Sequence, residues 1–463
     1  MAVQAPAVEE PRAEQASAAP GPSAQPWPSP ATAWRTLWIL SLVLGLSQID
    51  RNILSLLLQP IKHDLGLSDT QMGVLIGLAF AIVYLALSFP LSLLSDRKSR
   101  KTMIAIGVAV WSLATAACGL ARSFWPMFVA RAGVGAGESV NGPATYSLLA
   151  DSFPRERLPR AMAVLNLGFV AGTAISLIIG GVVIAALTPL HVSLPILGPV
   201  KTWQLVFFAV GLPGLLVSAL MMTVTEPVRR TPSGQAVQNK APIWEVFGFL
   251  TRNGRFYGCM FASVFLNGVI IYGTQNFRAA FFQRSYHWLP QQYGLVTGLV
   301  SLVASPIGLW AGTWLFERWN KRRDDAGMRV ALLAYWISIP FNAAGPVMPE
   351  AWMSVACTGF GAALALMAAP PLVAAMQSVA PSTVRSQVNS LYLLLFSGVT
   401  GIVGPIFIGW LTDLQHDETR LGYVMAVSTL VVAPIATLIM SFALKPFGRM
   451  IAGIKAEEAA ATR

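Results

Sequence analysis

Long apolar runs follow one another along almost the whole of this 463-residue chain and leave few folds open to it. Only 11% of the residues are charged, against about 25% in an average soluble domain. A helix crosses the hydrocarbon core of a bilayer with about 20 apolar residues. The pattern therefore predicts an all-α membrane protein with about a dozen membrane-spanning helices.

Twelve apolar runs are predicted to span the membrane, and they are numbered here in chain order. Spans 1 to 6 are residues 34–58, 71–94, 102–120, 125–150, 161–187 and 203–224. Spans 7 to 12 are residues 256–282, 293–316, 330–344, 352–376, 388–411 and 421–444. The stretch 188–202 is broken by prolines and is too short to cross a bilayer.

The spans predict five parts of the chain. These are a disordered tail (residues 1–33), a six-helix bundle (34–224), a connecting loop (225–255), a second six-helix bundle (256–444) and a tail (445–463). The halves echo each other, since DRKSRK at 96–101 after span 2 resembles ERWNKR at 317–322 after span 8. Two repeated bundles around a central cavity are a common construction of secondary transporters.

Lysine and arginine are concentrated on one side of the predicted topology. The tails, counted with Arg35 at the first turn of span 1, and the loops after even-numbered spans carry 24 of the 32 basic residues, the opposite loops carry 5, and the remaining 3 lie within spans. By the positive-inside rule, both termini are expected in the cytoplasm. The absence of any Asn-X-Ser/Thr sequence favours a bacterial inner membrane. The net charge of +11 thus reflects topology and not nucleic-acid binding.

Apart from Arg35 at the start of span 1, five charged residues lie inside predicted spans: Asp50 and Arg51 in span 1, Arg131 and Glu138 in span 4, and Arg278 in span 7. Each costs a few kcal/mol near the middle of a bilayer, and such residues commonly mark substrate or ion pathways. The alternative is a set of structural ion pairs that lock helices together. We favour a functional role for Asp50 and Glu138, while Arg278 is near a span end and is as well explained by snorkelling.

Span 4 carries the most informative pattern. Arg131 and Glu138 are seven residues apart, about 10.5 Å along a helix, which places both on one face that is expected to line the cavity. The glycines at 133, 135 and 137 allow a neighbouring helix to approach closely. Asn141, Tyr146 and Arg278 are further predicted cavity residues. The tyrosines at 84, 272 and 392 are weaker candidates, because such residues more often pack or sit at interfaces.

The segment 92–101, SLLSDRKSRK, resembles the loop signature of the major facilitator superfamily between spans 2 and 3, with Ser92 and Ser99 in place of its glycines. We expect Asp96, Arg97 and Arg100 of this loop to form a gate by pairing with a neighbouring helix end. The alternative for the basic residues is a purely topological role.

The first half also resembles the spinster branch of that superfamily, in the strings IDRNIL at 49, LGLSDTQMGVL at 65, ARAGVGAGES at 130 and ADSFPRERLPRAMA at 150. The resemblance implies a proton-coupled transporter of lysophospholipid-like or sphingolipid-like substrates, working by alternating access. It implies that Asp50, Arg51, Arg131 and Glu138 carry the proton coupling. Burial raises a carboxylate's pKa and a nearby arginine lowers it, so movement of an arginine can drive proton exchange.

The expected partners are a small-molecule or lipid substrate, protons and the bilayer, and the protein is expected to be a monomer. The three cysteines show no paired spacing, so neither a metal nor another cofactor is predicted, and a proton gradient supplies the energy. A carrier for another organic anion or drug stays open. So does a receptor or channel. A lipid-modifying enzyme is disfavoured, because no HExxH, GxSxG or Walker pattern occurs.

Overall fold

A computed structural model describes residues 27–95, 98–154, 156–190, 192–194, 198–228 and 243–461. Nearly all of these residues are helical. A helix satisfies every internal backbone hydrogen bond within its own segment, which is what a chain of apolar runs requires where no water is present.

The first half contains spans 1 to 6. Span 1 is Pro30–Leu56, span 2 is Asp69–Ile76 with Leu78–Ser95, span 3 is Arg100–Cys118, span 4 is Phe124–Glu138 with Asn141–Ser152, span 5 is Leu158–Leu187, and span 6 is Thr202–Gly211 with Pro213–Met222. A short helix, Leu58–Leu65, follows span 1.

The second half contains spans 7 to 12. Span 7 is Gly254–Tyr286, span 8 is Pro290–Asn320, span 9 is Ala326–Ala344, span 10 is Ala351–Met367 with Ala369–Ser378, span 11 is Ser382–Leu393 with Leu394–Val399 and Thr400–Asp413, and span 12 is Leu421–Phe442.

The predicted fold class is confirmed, including the predicted span 4. Eleven helical segments of the described chain are long and apolar enough to cross a membrane. Span 4 is the twelfth, and it is interrupted at Ser139 and Val140 directly after the buried Glu138. Neither of its two helices is long enough to cross a bilayer alone, so it is a span only when the two are taken together, as the apolar run 125–150 predicts.

Further elements lie outside the spans. Within 188–202, the strands Val192–Leu194 and Gly198–Val200 pair in an antiparallel fashion, in agreement with the prediction that this stretch does not span. A helix at Ile243–Arg252 precedes span 7 and leaves Trp244 79% exposed. The residues after span 12 form a further helix, Leu444–Ala461, whose Phe447 is buried against the second half.

The apolar cores show how the halves are joined. We call the side that carries both termini the terminal face and the opposite side the loop face. One core, around Trp111 and Leu148, belongs to the first half, and a second, around Met328 and Leu372, belongs to the second half. A third core combines residues of both halves, such as Ile53 and Phe281, at the loop face.

Close contacts between the helices of the two halves also lie toward the loop face. Span 2 packs on span 11 so tightly that a Cβ on Gly73 would lie 2.5 Å from the carbonyl oxygen of Pro405. Span 5 packs along span 8. The molecule is therefore closed at its loop face, and the two halves have separate cores toward the terminal face.

Candidate functional site

Glu138, the last helical residue before the break in span 4, is held by span 1. Its Oε2 accepts hydrogen bonds from Arg51 Nε at 2.9 Å, Arg51 Nη2 at 2.6 Å and Ser47 Oγ at 2.8 Å. Glu138 is 2% exposed, and its Oε1 has no hydrogen-bond partner among the described residues. Two donors from one guanidinium and a hydroxyl are the partners expected of an ionised carboxylate.

Asp50, next to Arg51 in span 1, is in a contrasting environment. It is 1% exposed, and within the described parts of the chain no hydrogen bond of normal length reaches its carboxyl oxygens, although Thr115 and Arg131 lie beside it. Arg131 is 2% exposed and donates from Nη1 to the backbone oxygen of Asp50 at 3.4 Å. The site thus combines two arginines with one carboxyl that is bonded to an arginine and one that is not.

Glycines in span 4 make this burial possible. A Cβ on Gly135 would lie 2.2 Å from the backbone oxygen of Phe80 in span 2. One on Gly137 would lie 2.6 Å from the backbone oxygen of Gly107 in span 3. The close approach predicted for this glycine series is therefore found, and it brings span 4 near enough to spans 2 and 3 to exclude water from Arg131 and Glu138.

Arg51 connects the buried charges with the space between the halves. Its side chain is 38% exposed, whereas that of Glu138 is 1% exposed. Its guanidinium carbon lies 4.7 Å from the ring centre of Phe80 and 5.7 Å from that of Tyr84, a cation–π arrangement. Tyr146 is 48% exposed and lies near Tyr84.

Aromatic residues of the second half stand across from Arg51. Tyr272 of span 7 lies close enough to Arg51 for their charges to interact. Its ring packs edge-on against that of Phe396 in span 11, with the ring centres 5.8 Å apart. Phe396 stacks on Tyr392 and lies within the π-helical turn Leu394–Val399. Such turns are rare and often occur at functional sites. Together these side chains give the site an aromatic wall.

The remaining predicted cavity residues are placed elsewhere. Asn141 is 5% exposed and accepts a hydrogen bond from Thr145 within its own helix. Arg278 is half-buried and lies near Tyr293 of span 8. Its Nε has no hydrogen-bond partner within the described residues. The structure therefore brings Arg51, Arg131, Asp50 and Glu138 together and leaves Arg278 with a different neighbour.

Of the predicted gate residues, Asp96 and Arg97 lie outside the described residues. Arg100 is 1% exposed and bonds to Asp151 at the end of span 4, to Glu226 Oε1 at 2.9 Å and to the backbone oxygen of Pro227 at 3.1 Å. Partial burial opposes ionisation of Glu226, but hydrogen bonds from the Lys101 amide and from Arg100 outweigh it and lower the pKa. These contacts tie spans 3, 4 and 6 of the first half together.

A second ion network, which sequence reasoning missed, joins the halves at the loop face. Arg284 of span 7 forms two hydrogen bonds, of 2.6 and 2.9 Å, with the carboxylate of Asp69 at the start of span 2. Lys62 lies 3.0 Å from Asp69 and 2.7 Å from Glu418 of the second half. Asp413 accepts hydrogen bonds from the Asp69 and Thr70 amides. We call Lys62, Asp69, Arg284, Asp413 and Glu418 the loop-face network.

One signal in the sequence could have found this network. Lys62 and Arg284 are two of only five basic residues on the side that the positive-inside rule leaves poor in charge. Residues that contradict that pattern need another explanation, and here they are buried partners of Asp69, with Lys62 7% exposed and the Arg284 side chain 4% exposed.

Comparisons with known proteins agree with the fold. A family model described as the Major Facilitator Superfamily matches residues 40–405. An "MFS-type efflux pump" of Mycolicibacterium smegmatis is 26% identical over 395 residues, 84% of this chain and 86% of that protein. "Protein spinster homolog 1" of Xenopus tropicalis is 25% identical over 316 residues, which cover 65% of this chain and 58% of that protein.

A solved structure gives the same result at the level of the fold. It is a bacterial homologue of the human lysosomal transporter Spinster, in an inward-facing and unoccupied conformation, and it superposes with a TM-score of 0.77 at 23% identity. The superposition covers 91% of this chain and 98% of that one. The predicted resemblance to spinster proteins is confirmed.

Proposed function

This chain belongs to the Major Facilitator Superfamily, and from that membership we propose that it is a proton-coupled secondary transporter of an amphipathic anion, a lysophospholipid-like or sphingolipid-like molecule. Its place among multi-pass membrane transporters, and not among enzymes, follows from the family and its relatives. Proton coupling, substrate class and direction are the proposal.

Alternating access is supported by the packing of the two halves. Contact is concentrated at the loop face, where a shared apolar core and the loop-face network join the halves. The excess of basic residues on the terminal face supports a cytoplasmic terminal face in a bacterial inner membrane. The described state is then open toward the cytoplasm, the conformation named for the superposed spinster homologue.

The observation that carries the proton-coupling proposal is the unpartnered carboxyl of Asp50. An ionised carboxylate buried without a partner carries a large desolvation penalty, and the group becomes neutral instead. Asp50, 1% exposed and without a hydrogen bond of normal length to its carboxyl among the described residues, therefore holds a proton in this state. Glu138, with two bonds from Arg51, stays ionised.

Arg51 couples substrate to the proton. It is shared between Glu138, which it holds at 2.6 Å, and the space between the halves, to which its side chain is 38% exposed. When an anionic head group forms two hydrogen bonds with the Arg51 guanidinium, it draws the guanidinium away from Glu138. The carboxylate of Glu138 then loses its buried partner and takes up a proton.

The charges and the aromatic wall together suit an amphipathic anion. With Asp50 neutral, the two arginines and Glu138 leave one positive charge for a phosphate or carboxylate. Phe80 and Tyr84 on one side, and Tyr272 and Phe396 on the other, offer apolar surface for an acyl chain. A small hydrophilic solute would leave that surface in water.

A second candidate is efflux of another organic anion or drug. It is favoured by the similarity to the M. smegmatis protein, which covers more of both chains than the spinster homologue of X. tropicalis does. Both candidates share the fold and the charged cluster, so substrate tests must separate them.

The experiment is uptake into proteoliposomes under a pH gradient. The panel contains a lysophospholipid with a phosphate head, a monoacylglycerol of the same chain length, a cationic dye and a neutral sugar. We expect uptake of the lysophospholipid alone, lost in Arg51→Gln and kept in Arg35→Gln, which changes an exposed arginine of the same span. Uptake of the dye alone would favour the efflux candidate, and equal uptake of the monoacylglycerol would contradict the role of Arg51.

A further inference from the structure

A second cavity lies far from the charged cluster, on the terminal face of the second half. It has a volume of about 600 Å³. Its walls come from the end of span 8, the first part of span 9 and the start of the helix after span 12. The lining residues are Trp319, Arg322, Arg323, Arg329, Leu332, Leu333, Trp336 and Leu444. None of these elements contributes to the site around Arg51, so the cavity requires an explanation of its own.

All the charged residues that line this cavity are arginines. Arg329 is paired with Asp325 at 2.7 Å. Arg322 and Arg323 are exposed, and in the described parts of the chain their side chains have no ion-pair or hydrogen-bond partner. Two adjacent unpaired guanidinium groups beside a third arginine make a strong site for an anion with several oxygen atoms.

The other walls are apolar and open to the bilayer. Trp336 is 45% exposed and Leu333 is 36% exposed, whereas Leu332 is 7% exposed and forms the floor. Tryptophan side chains are typical of the level of lipid head groups. A ligand of this cavity therefore has both an anionic part and an apolar part.

The helix Leu444–Ala461 completes the cavity and is fixed in place. Lys455 Nζ lies 2.5 Å from Asp324 Oδ1, which joins this helix to the loop between spans 8 and 9. Phe447 is 1% exposed and packs into the core of the second half. The cavity is thus a shaped recess between three anchored elements and not a scatter of basic residues along a helix end.

We propose that this recess binds the phosphate head group of an anionic phospholipid of the surrounding leaflet. Its volume lies within the range of about 300–1,000 Å³ that is typical of small-ligand sites. Basic pockets between spans at the cytoplasmic side are suited to such head groups. Arg322 and Arg323 bind the phosphate, and the leucine and tryptophan walls receive the first part of the acyl chains. The lipid is a resident ligand and is distinct from the transported substrate.

The test is native mass spectrometry of the purified full chain with added cardiolipin, phosphatidylglycerol or phosphatidylcholine, and with inorganic phosphate as competitor. We expect retention of the two anionic lipids and not of phosphatidylcholine. The double variant Arg322→Gln/Arg323→Gln is expected to bind cardiolipin at least about tenfold more weakly. The matched control, Arg318→Gln/Lys321→Gln, removes the same charge from the same end of span 8 but changes no lining residue, and it should bind like the unaltered protein.

Three outcomes would overturn the proposal. Equal loss of cardiolipin in both double variants would mean that general surface charge, and not the recess, holds the lipid. Equal retention of phosphatidylcholine would remove the role of the arginines. Displacement of lipid by millimolar phosphate would assign the recess to free phosphate. Thermal unfolding of both variants, measured in parallel, separates lost binding from lost folding, and the exposed positions predict unchanged midpoints.

Discussion

The loop-face network gives the most quantitative prediction. Arg284 and Asp69 have side chains that are 4% and 1% exposed and are joined by two hydrogen bonds across the halves. Removal of one partner from a buried ion pair costs about 3–5 kcal/mol, because the other charge stays buried without compensation. In Arg284→Gln the Asp69 carboxylate still has Lys62 at 3.0 Å, so we expect a cost at the lower end of this range, about 3 kcal/mol.

This energy acts on the conformational equilibrium, because the pair forms only where the loop face is closed. About 3 kcal/mol corresponds to about two orders of magnitude in an equilibrium constant, at 1.36 kcal/mol per tenfold. We therefore expect Arg284→Gln to shift the ratio of loop-face-closed to loop-face-open molecules about a hundredfold toward open. The matched control is Arg420→Gln, which breaks an exposed pair with Asp417 on the same face and should change little.

The assay is a distance measurement between spin labels at Leu120→Cys and Val347→Cys, two exposed loop-face positions in opposite halves, in a background without native cysteines. The unaltered network should give one short-distance population, and Arg284→Gln should add a longer one. A distance distribution in Arg284→Gln identical to that of Arg420→Gln would refute the reasoning, since it would mean that the network does not hold the face closed.

Three further predictions concern stability. Gly135→Ala should lower the free energy of unfolding by about 1–3 kcal/mol or more, because its Cβ would lie 2.2 Å from a span 2 carbonyl, whereas Gly142→Ala, with open space around it, should not. Asp50→Asn should leave the free energy of unfolding within about 1 kcal/mol of that of the unaltered protein, because a neutral amide replaces a neutral acid, while Glu138→Gln should lower it by about 1–3 kcal/mol through loss of the bonds from a cation; equal free energies of unfolding in both variants would contradict this assignment. The lowered pKa of Glu226 means that it stabilises the fold above the ordinary glutamate pKa of about 4.3 and loses that contribution as the pH falls through its lower folded value. The stability difference between the unaltered protein and Glu226→Gln should thus be constant above about pH 5 and shrink toward pH 3 in denaturant titrations; a difference independent of pH would show that the pKa is not shifted.

The sequence was sufficient for the spans, because the requirement for apolar helices in a bilayer acts locally and residue by residue. It was also sufficient for the identity of the central charges, since Asp50 and Glu138 are costly in any span whatever their neighbours are. The helical repeat placed Arg131 and Glu138 on one face. It could not say which arginine would pair with Glu138, because that depends on how spans 1 and 4 cross, and the partner is Arg51.

Other features depend on contacts between residues that are distant in sequence. The aromatic wall requires Tyr272 and Phe396 to meet Arg51 across the two halves, which no local pattern encodes. The loop-face network joins Asp69 to Arg284, 215 positions away. The break in span 4, by contrast, has a local cause: Pro143 has no N–H to donate to the backbone oxygen of Ser139, four residues earlier, and its ring crowds that oxygen.

The central claim is that substrate movement is linked to the protonation of the two carboxyls, and substrate-induced proton movement tests it most directly. Proteoliposomes with a lumenal pH dye receive the lysophospholipid without an imposed gradient. We predict a pH change with the unaltered protein and with Asp417→Asn, an exposed loop-face acid, and none with Asp50→Asn or Glu138→Gln. Substrate uptake accompanied by the same pH change in both of those variants would contradict the account and assign the two acids a structural role.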